Sequence, residues 1–380
     1  MSAIPLSVLD LSPVTAGSDA ATALRRSVEL AQHSEALGYR RFWLAEHHFA
    51  AVASSSTMTL IGLVAAATSS IRVGSAAVQL GHHTPASVVE AFGTIDALHP
   101  GRLDLGLGRS GQRRKEATST SAPERKSAPP EPAAEHEVDG LLIPKPFSLA
   151  GLLASPKLAA TATALQIAGA EVPDFTEAVD DILALLDGTY VADGVPLSAV
   201  PGENAEVEVW IFGSSKGQSA QVAGARGLPF VANYHVSPAT TLEAVQAYRE
   251  AFVPSRDLTE PYVVVSADVV AADTDSTAYE LASTFGHWVC GIRSGEGAPP
   301  YPDPATTPAL TDAERAVVDD RIRTQFVGTP STVADGLDTL ARVTGADELV
   351  ITSVTHDFEA RKRSHELLAR EWGLVAAQPA

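Results

Sequence analysis

Glu46-His47-His48 closes an apolar run, Phe42 to Leu44, placing a carboxylate and two imidazoles where a buried strand would emerge into a pocket. Two chemistries suit such side chains. Imidazole and carboxylate together are ligands for zinc or iron, and an imidazole titrating near neutrality is by itself a general acid or base. Successive strand residues point to opposite faces. That alternation keeps His47 and His48 from gripping one ion and favours proton transfer by one histidine, with no metal. A core or rim histidine already satisfied by its neighbours is the plain alternative. His82-His83 forms a second pair just before Thr84-Pro85, where a turn or helix start accounts for it.

A second stretch, Gly213-Ser214-Ser215-Lys216-Gly217-Gln218-Ser219, falls between a strand and a helix. Its glycines let backbone N–H groups approach an anion, its hydroxyls donate hydrogen bonds, and the helix N-terminus adds a favourable dipole. Arg109 supplies a cation able to clasp a phosphate in bidentate fashion. An ordinary N-cap with small turn residues fits the same spacing. Gly106-Leu107-Gly108 is only a glycine pair.

The elements that must position these residues follow a regular rhythm. Strand segments start near Leu6, Phe42, Ile71, Leu103, Val207, Phe230, Val263 and Glu348, and each is followed by a helical pattern. Asp19 or Ser18 caps the first helix and Gly38 ends it, Pro85 opens the third, and Thr311 to Glu314 has the spacing of a capping box. The count predicts an α/β fold, a (β/α)8 TIM barrel with insertions after strands 4 and 7, and a single domain over 1–380. A doubly wound open sheet is the runner-up. Ligands of such a barrel meet the carboxyl ends of the strands. That rule collects Asp10, Glu46, His47, His48, Ala76-Ala77, Gln79, Arg109, Ser214, Ser215, Asn233, His235 and His356. The stretch 112–137, dominated by Ala, Ser, Pro and Glu, reads as a mobile insertion because it cannot bury enough apolar surface to offset its ordering entropy.

Composition narrows the function classes. Among 380 residues, 27 basic against 46 acidic side chains give a formal charge of -19, which argues against nucleic acid or an anionic membrane as partner. Cys290 is the only cysteine, so no internal disulfide forms and a reducing, cytoplasmic setting is expected.

Five stretches in the same order resemble the bacterial luciferase-like flavin-dependent monooxygenases: Trp43 to Phe49, Val73 to Val78, Thr94 to Arg102, Arg226 to Pro229 and Phe326 to Pro330. The resemblance implies a barrel that takes reduced FMN from a separate flavin reductase, uses O2 as co-substrate and oxygenates a small organic molecule. It assigns the catalytic histidine to His47. It further implies a non-prolyl cis peptide beneath the flavin at Ala76-Ala77, a phosphate-binding arginine at Arg109, and cofactor contacts at Ser214, Ser215 and Ser219. Two departures stand out: the family's glutamate after the fifth strand is Ser214 here, and Lys216 adds a residue that offers anion binding of its own. Glu46 is expected to orient His47 or face the core. A homodimer through the helices after strands two and three is also implied. Related barrels use the deazaflavin F420, so an F420-dependent oxidoreductase is the alternative enzyme, and a non-catalytic flavin-binding barrel the alternative outside catalysis.

Overall fold

The computed structural model describes residues 4–109, 134–148, 150–166, 170 and 173–374. Eight parallel strands close on themselves: β1 (Leu6–Asp10), β2 (Arg41–Leu44), β3 (Arg72–Ser75), β4 (Leu103–Gly108), β5 (Val207–Gly213), β6 (Phe230–Asn233), β7 (Val263–Ala271) and β8 (Glu348–Thr352). Each pairs with the next, and β8 returns to β1 with Leu6 opposite Leu349. The sheet is the closed barrel and not the open alternative.

Helices α1 (Ala20–Ala36), α2 (Thr57–Ala67), α3 (Pro85–Leu98), α4 (Phe175–Leu186), α5 (Gln218–Ala225), α6 (Thr241–Ala251), α7 (Pro330–Thr344) and α8 (Phe358–Trp372) cover it. Asp19 caps α1 by accepting from the Thr22 N–H, and Gly38 just past it sits at φ +81°, a left-handed conformation that favours glycine. The capping box at Thr311 and Glu314 forms in both directions at the start of Asp312–Arg323. Among the described residues, no helix is long and apolar enough to cross a membrane.

Strand alternation sorts the barrel into layers. Outward residues such as Phe42, Leu105, Ile211 and Val265 pack against the helices. Inward residues stack from the amino to the carboxyl end: charged Arg41, Asp104 and Glu348 lie lowest, Leu9, Trp43, Trp210, Val264 and Val350 form an apolar middle, and Leu11, Ala45 and Phe212 lie above them. A Cβ on Gly106 would stand 2.0 Å from the Ser75 carbonyl oxygen and 2.5 Å from the Phe212 ring, so only glycine lets those neighbours close over the middle layer.

Two boundaries differ from expectation. The third strand, expected to run from Ile71 to Val78, stops at Ser75 and resumes as Val78–Gln79, because a cis Ala76–Ala77 peptide turns the chain between them. The helical pattern that follows the seventh strand is two helices, Asp275–Ala282 and Phe285–Arg293, and with Asp312–Arg323 they form the helical part of the insertion after β7. After β4 lie a hairpin, His136–Val138 with Leu141–Ile143, and the short helices Ala150–Leu153 and Pro156–Leu165. The segment expected to be mobile, 112–137, lies outside the described residues except for 134–137, where that hairpin begins.

Candidate active site

A cavity of about 340 Å³ opens at the carboxyl ends of the strands. His47, Ala76, Ala77, Arg109, Ser214, Ser215 and Ser219 all line it, as do Gln79, Asn233 and His235. The alternation of β2 explains His47: Arg41, Trp43 and Ala45 are inward residues, and His47 continues their register past the strand end. Its ring is accessible from the cavity although protein surrounds it, and that burial lowers its pKa below the ordinary imidazole value against the opposing pull of Glu46.

Glu46, one residue out of register, is buried at the edge of the same cavity, with its carboxylate held by groups other than His47. Its Oε1 accepts from His48 Nε2 at 2.8 Å and His83 Nε2 at 2.9 Å, and its Oε2 accepts from the Gln79 N–H at 3.0 Å. Burial alone would raise the Glu46 pKa, but the hydrogen bonds from the two histidines, the charge of His83 and the backbone N–H bring it down to about 2. Of the two expectations for Glu46, orienting His47 by a hydrogen bond is not met, and burial against the body of the protein is. Its partners are His48 and His83, and it fastens the chain after β2 to Val78–Gln79 and the start of α3. The second histidine pair has a structural use that its position before Thr84-Pro85 did not reveal. Among the described residues, no His, Cys, Asp and Glu side chains are grouped to hold a metal ion.

Ser214 and Ser215 follow β5 directly, and Ser219 lies in the first turn of α5, whose cap is Gly217. A Cβ on Gly217 would lie 3.4 Å from Ser215 Oγ and 3.6 Å from Arg109 Nη1, so the guanidinium from the end of β4 reaches the start of that helix. Hydroxyls, a guanidinium and a helix N-terminus thus converge, the donor set of an anion site. Asn233 steadies it by donating to Ser214 Oγ at 3.3 Å. Lys216 takes no part: it is exposed and pairs with Glu243 at 3.3 Å.

Other strand-end candidates fall elsewhere. Asp10 is fully buried and holds Arg361 Nη2 at 2.8 Å and the Ser12 N–H at 3.0 Å, which ties β1 to α8. His356 donates to the Ala16 carbonyl at 3.0 Å. Two cavity residues escaped the sequence reading. Asp268 lies inside the long strand β7 and not at its end, yet its inward register, shared with Val264 and Ser266, was a usable signal. Arg321, on a helix of the insertion, carried none. Arg321 Nη2 donates to Asp268 Oδ2 at 3.1 Å.

At the opposite end of the barrel a buried ion network borders a second cavity, of about 870 Å³, which Arg41, Arg72, Glu208 and Tyr262 help to line. Arg41 Nη1 donates to both Asp104 oxygens and to Glu208 at 2.9 Å, and its Nε lies 3.3 Å from Glu348. Trp43 Nε1 and Arg72 Nε donate to Asp104 at 2.9 and 2.8 Å, and Tyr262 and Ser7 donate to Glu348.

Comparison with known proteins agrees with this geometry. The sequence model for luciferase-like monooxygenases matches residues 4–129 and 168–348. The uncharacterized protein YvbT of Bacillus subtilis is 35% identical over 371 residues, 97% of this chain and 96% of its own. A luciferase-like monooxygenase of Escherichia coli strain K12 is 33% identical over 367 residues, 96% of each chain. The crystal structure of apo-MsnO8 superposes with a TM-score of 0.76 at 30% identity, covering 98% of this chain and 99% of that one. Two more distant structures share the fold at 17% identity. One is the oxygenating constituent of 3,6-diketocamphane monooxygenase from Pseudomonas putida in complex with FMN, with a TM-score of 0.63 over 97% of both chains. The other is the coenzyme F420-dependent tetrahydromethanopterin reductase of Methanopyrus kandleri, with a TM-score of 0.57 over 97% of this chain and 98% of that one. A closed barrel with this cavity, matched by the family over most of its length and by relatives along nearly all of it, belongs to the luciferase-like monooxygenases.

Proposed function

We propose that this chain is the oxygenase of a two-component system that binds FMN reduced by a separate flavin reductase and inserts an atom of O2 into a small organic substrate. The observation that carries the reading is the meeting, in one cavity, of a phosphate-type donor set with His47 across a floor of small residues. Arg109, Ser214, Ser215, Ser219 and the N-terminus of α5 match a phosphate monoester in charge and donors. Ala76, Ala77 and Gly108 carry no bulk that would keep a flat ring from the backbone, and the volume suits a small-molecule site.

Reduced flavin, when bound, supplies the electrons that activate O2. The chain's own residues do the rest. Leu9, Leu11, Phe212, Trp288 and Ile292 line the cavity and exclude water. A ring nitrogen of His47, whose pKa the surrounding protein lowers from the ordinary imidazole value, takes up or returns a proton at the reacting centre. Glu46 holds the chain segment on which His47 stands. The protein also forms a homodimer through α2 and α3, whose outer faces leave Leu63 59% and Leu98 72% exposed.

Anaerobic titration with reduced FMN, and in parallel with reduced F420, followed by admission of O2, tests the reading. Saturable FMN binding and slowed reoxidation of the bound flavin are expected. Preference for F420, or no flavin affinity, would refute it.

A further inference from the structure

Besides the hydroxyl-rich anion site and the wall that carries His47 and Gln79, a further set of polar groups faces the cavity. Asp268 from the inner face of β7, His235 just past β6 and Arg321 from Asp312–Arg323 make up this set. None of them has a part in the chemistry proposed above. Arg321 donates one hydrogen bond, from Nη2 to Asp268 Oδ2, while its Nε is buried without a partner and the Phe285 ring lies 5.6 Å from the guanidinium carbon. Among the described residues, Asp268 in turn accepts from Arg321 alone.

His235 is set more firmly. Its Nδ1 shares a short hydrogen bond with Ser266 Oγ, which fixes the ring on the wall of the cavity. Burial, with the charges of Arg321 and His47, holds this ring neutral.

A buried ion pair whose only task is to pin the insertion helix onto the barrel would recover its desolvation cost by satisfying its remaining donors and lone pairs. This pair faces a cavity and leaves them unused. Its charges cancel, so an anion meets Asp268 and a cation meets Arg321. A hydrocarbon would strip water from both and return nothing.

We propose that Asp268, Arg321 and His235 form the substrate-recognition end of the cavity, and that the substrate presents there a neutral group that both accepts and donates hydrogen bonds, such as a carboxamide, lactam or hydroxy-ketone. The inference rests on the monooxygenase reading and gives that site its substrate class. The guanidinium supplies the donor and the Asp268 carboxylate the acceptor, with the His235 ring beside them. An aliphatic substrate without such a group is rejected.

Benzamide, toluene and benzoate have the same ring and differ only in the group offered. Each is titrated into the full chain at neutral pH by ligand-observed NMR, with and without FMN, and FMN affinity is measured on the same samples. Benzamide is expected to bind at least about tenfold more tightly than either analogue. Asp268→Asn and Arg321→Lys are expected to reduce that preference to about threefold or less, with FMN affinity retained. Toluene or benzoate binding as tightly as benzamide, no saturable benzamide binding by about 10 mM, or a preference that survives in both variants would overturn the inference. The wild-type panel stands even where a variant fails to fold. Normal FMN binding without the preference sinks this inference alone, whereas the preference without FMN binding sinks the monooxygenase reading alone.

Discussion

At the amino end of the barrel, Arg41, Asp104 and Glu348 are as deeply buried as any side chains in the molecule, and each has several partners drawn from neighbouring strands. At the carboxyl end, Asp268 and Arg321 are nearly as buried and share a single hydrogen bond. Both ends place charge on inward strand positions, so burial alone does not separate them. Satisfaction does. Burial would lower the Arg41 pKa, but the charges of Asp104, Glu348 and Glu208 outweigh it and raise it. For Asp268, burial outweighs Arg321 and raises the carboxyl to about 6. A network that meets its own demands supports the fold, and one that does not is available to a ligand.

Breaking the amino end should cost most in stability. Asp104→Asn leaves Arg41 and Arg72 with one fewer buried anion, and an unfolding loss of about 3–5 kcal/mol is expected in urea titration. Flavin affinity of the folded fraction should stay within about twofold, since the anion site and His47 lie at the other end. A loss below about 1 kcal/mol would show that the network is not the support described.

At the carboxyl end the effects should appear in function. His47→Ala is expected to lower kcat by about 10²–10⁴-fold while FMN affinity changes by less than about threefold. Parallel loss of affinity would make His47 a cofactor contact only. Arg109→Met should weaken FMN binding by about 10–100-fold and leave riboflavin, which lacks the phosphate, nearly unaffected. Equal weakening of both flavins would remove the arginine from the phosphate end.

The two ends also differed in how far the sequence disclosed them. The alternation of strand and helix was readable because outward strand residues such as Phe42 and Val265 are apolar without interruption. His47 was readable because it closes a strand, and the serines because they follow one. Asp104 and Glu348 were silent: a lone charge in an apolar strand does not say which strand carries its partner, and closure of the barrel is what brings Arg41 to both. His83 was silent for the same reason, its carboxylate lying across the gap between two strand ends. The break in the third strand at Ala76–Ala77 was legible only through the family resemblance, because a run of small residues reads locally as continuous strand.

The smallest effect is the dependence of stability on pH, and its sign distinguishes the two carboxylates of the cavity region. Glu46 is lowered from 4.5 to about 2, so its contribution is complete above about pH 4.5 and is lost only as pH falls through 2. Asp268 is raised from 3.8 to about 6, so between those values the folded chain keeps a proton that the unfolded chain has released. Its contribution therefore falls as pH rises through that window and is level above it. His47 and His235, lowered by burial, the latter to about 3, push the opposite way over much of the same range. The measurement that isolates Asp268 is the difference between wild type and Asp268→Asn at each pH, in which the two histidines cancel. That difference should move by about 2 kcal/mol in favour of the variant between about pH 4.5 and 7. Movement in favour of the wild type would mean that Arg321 holds the carboxylate ionised as firmly as the amino-end network holds its own, and the contrast between the two ends would disappear.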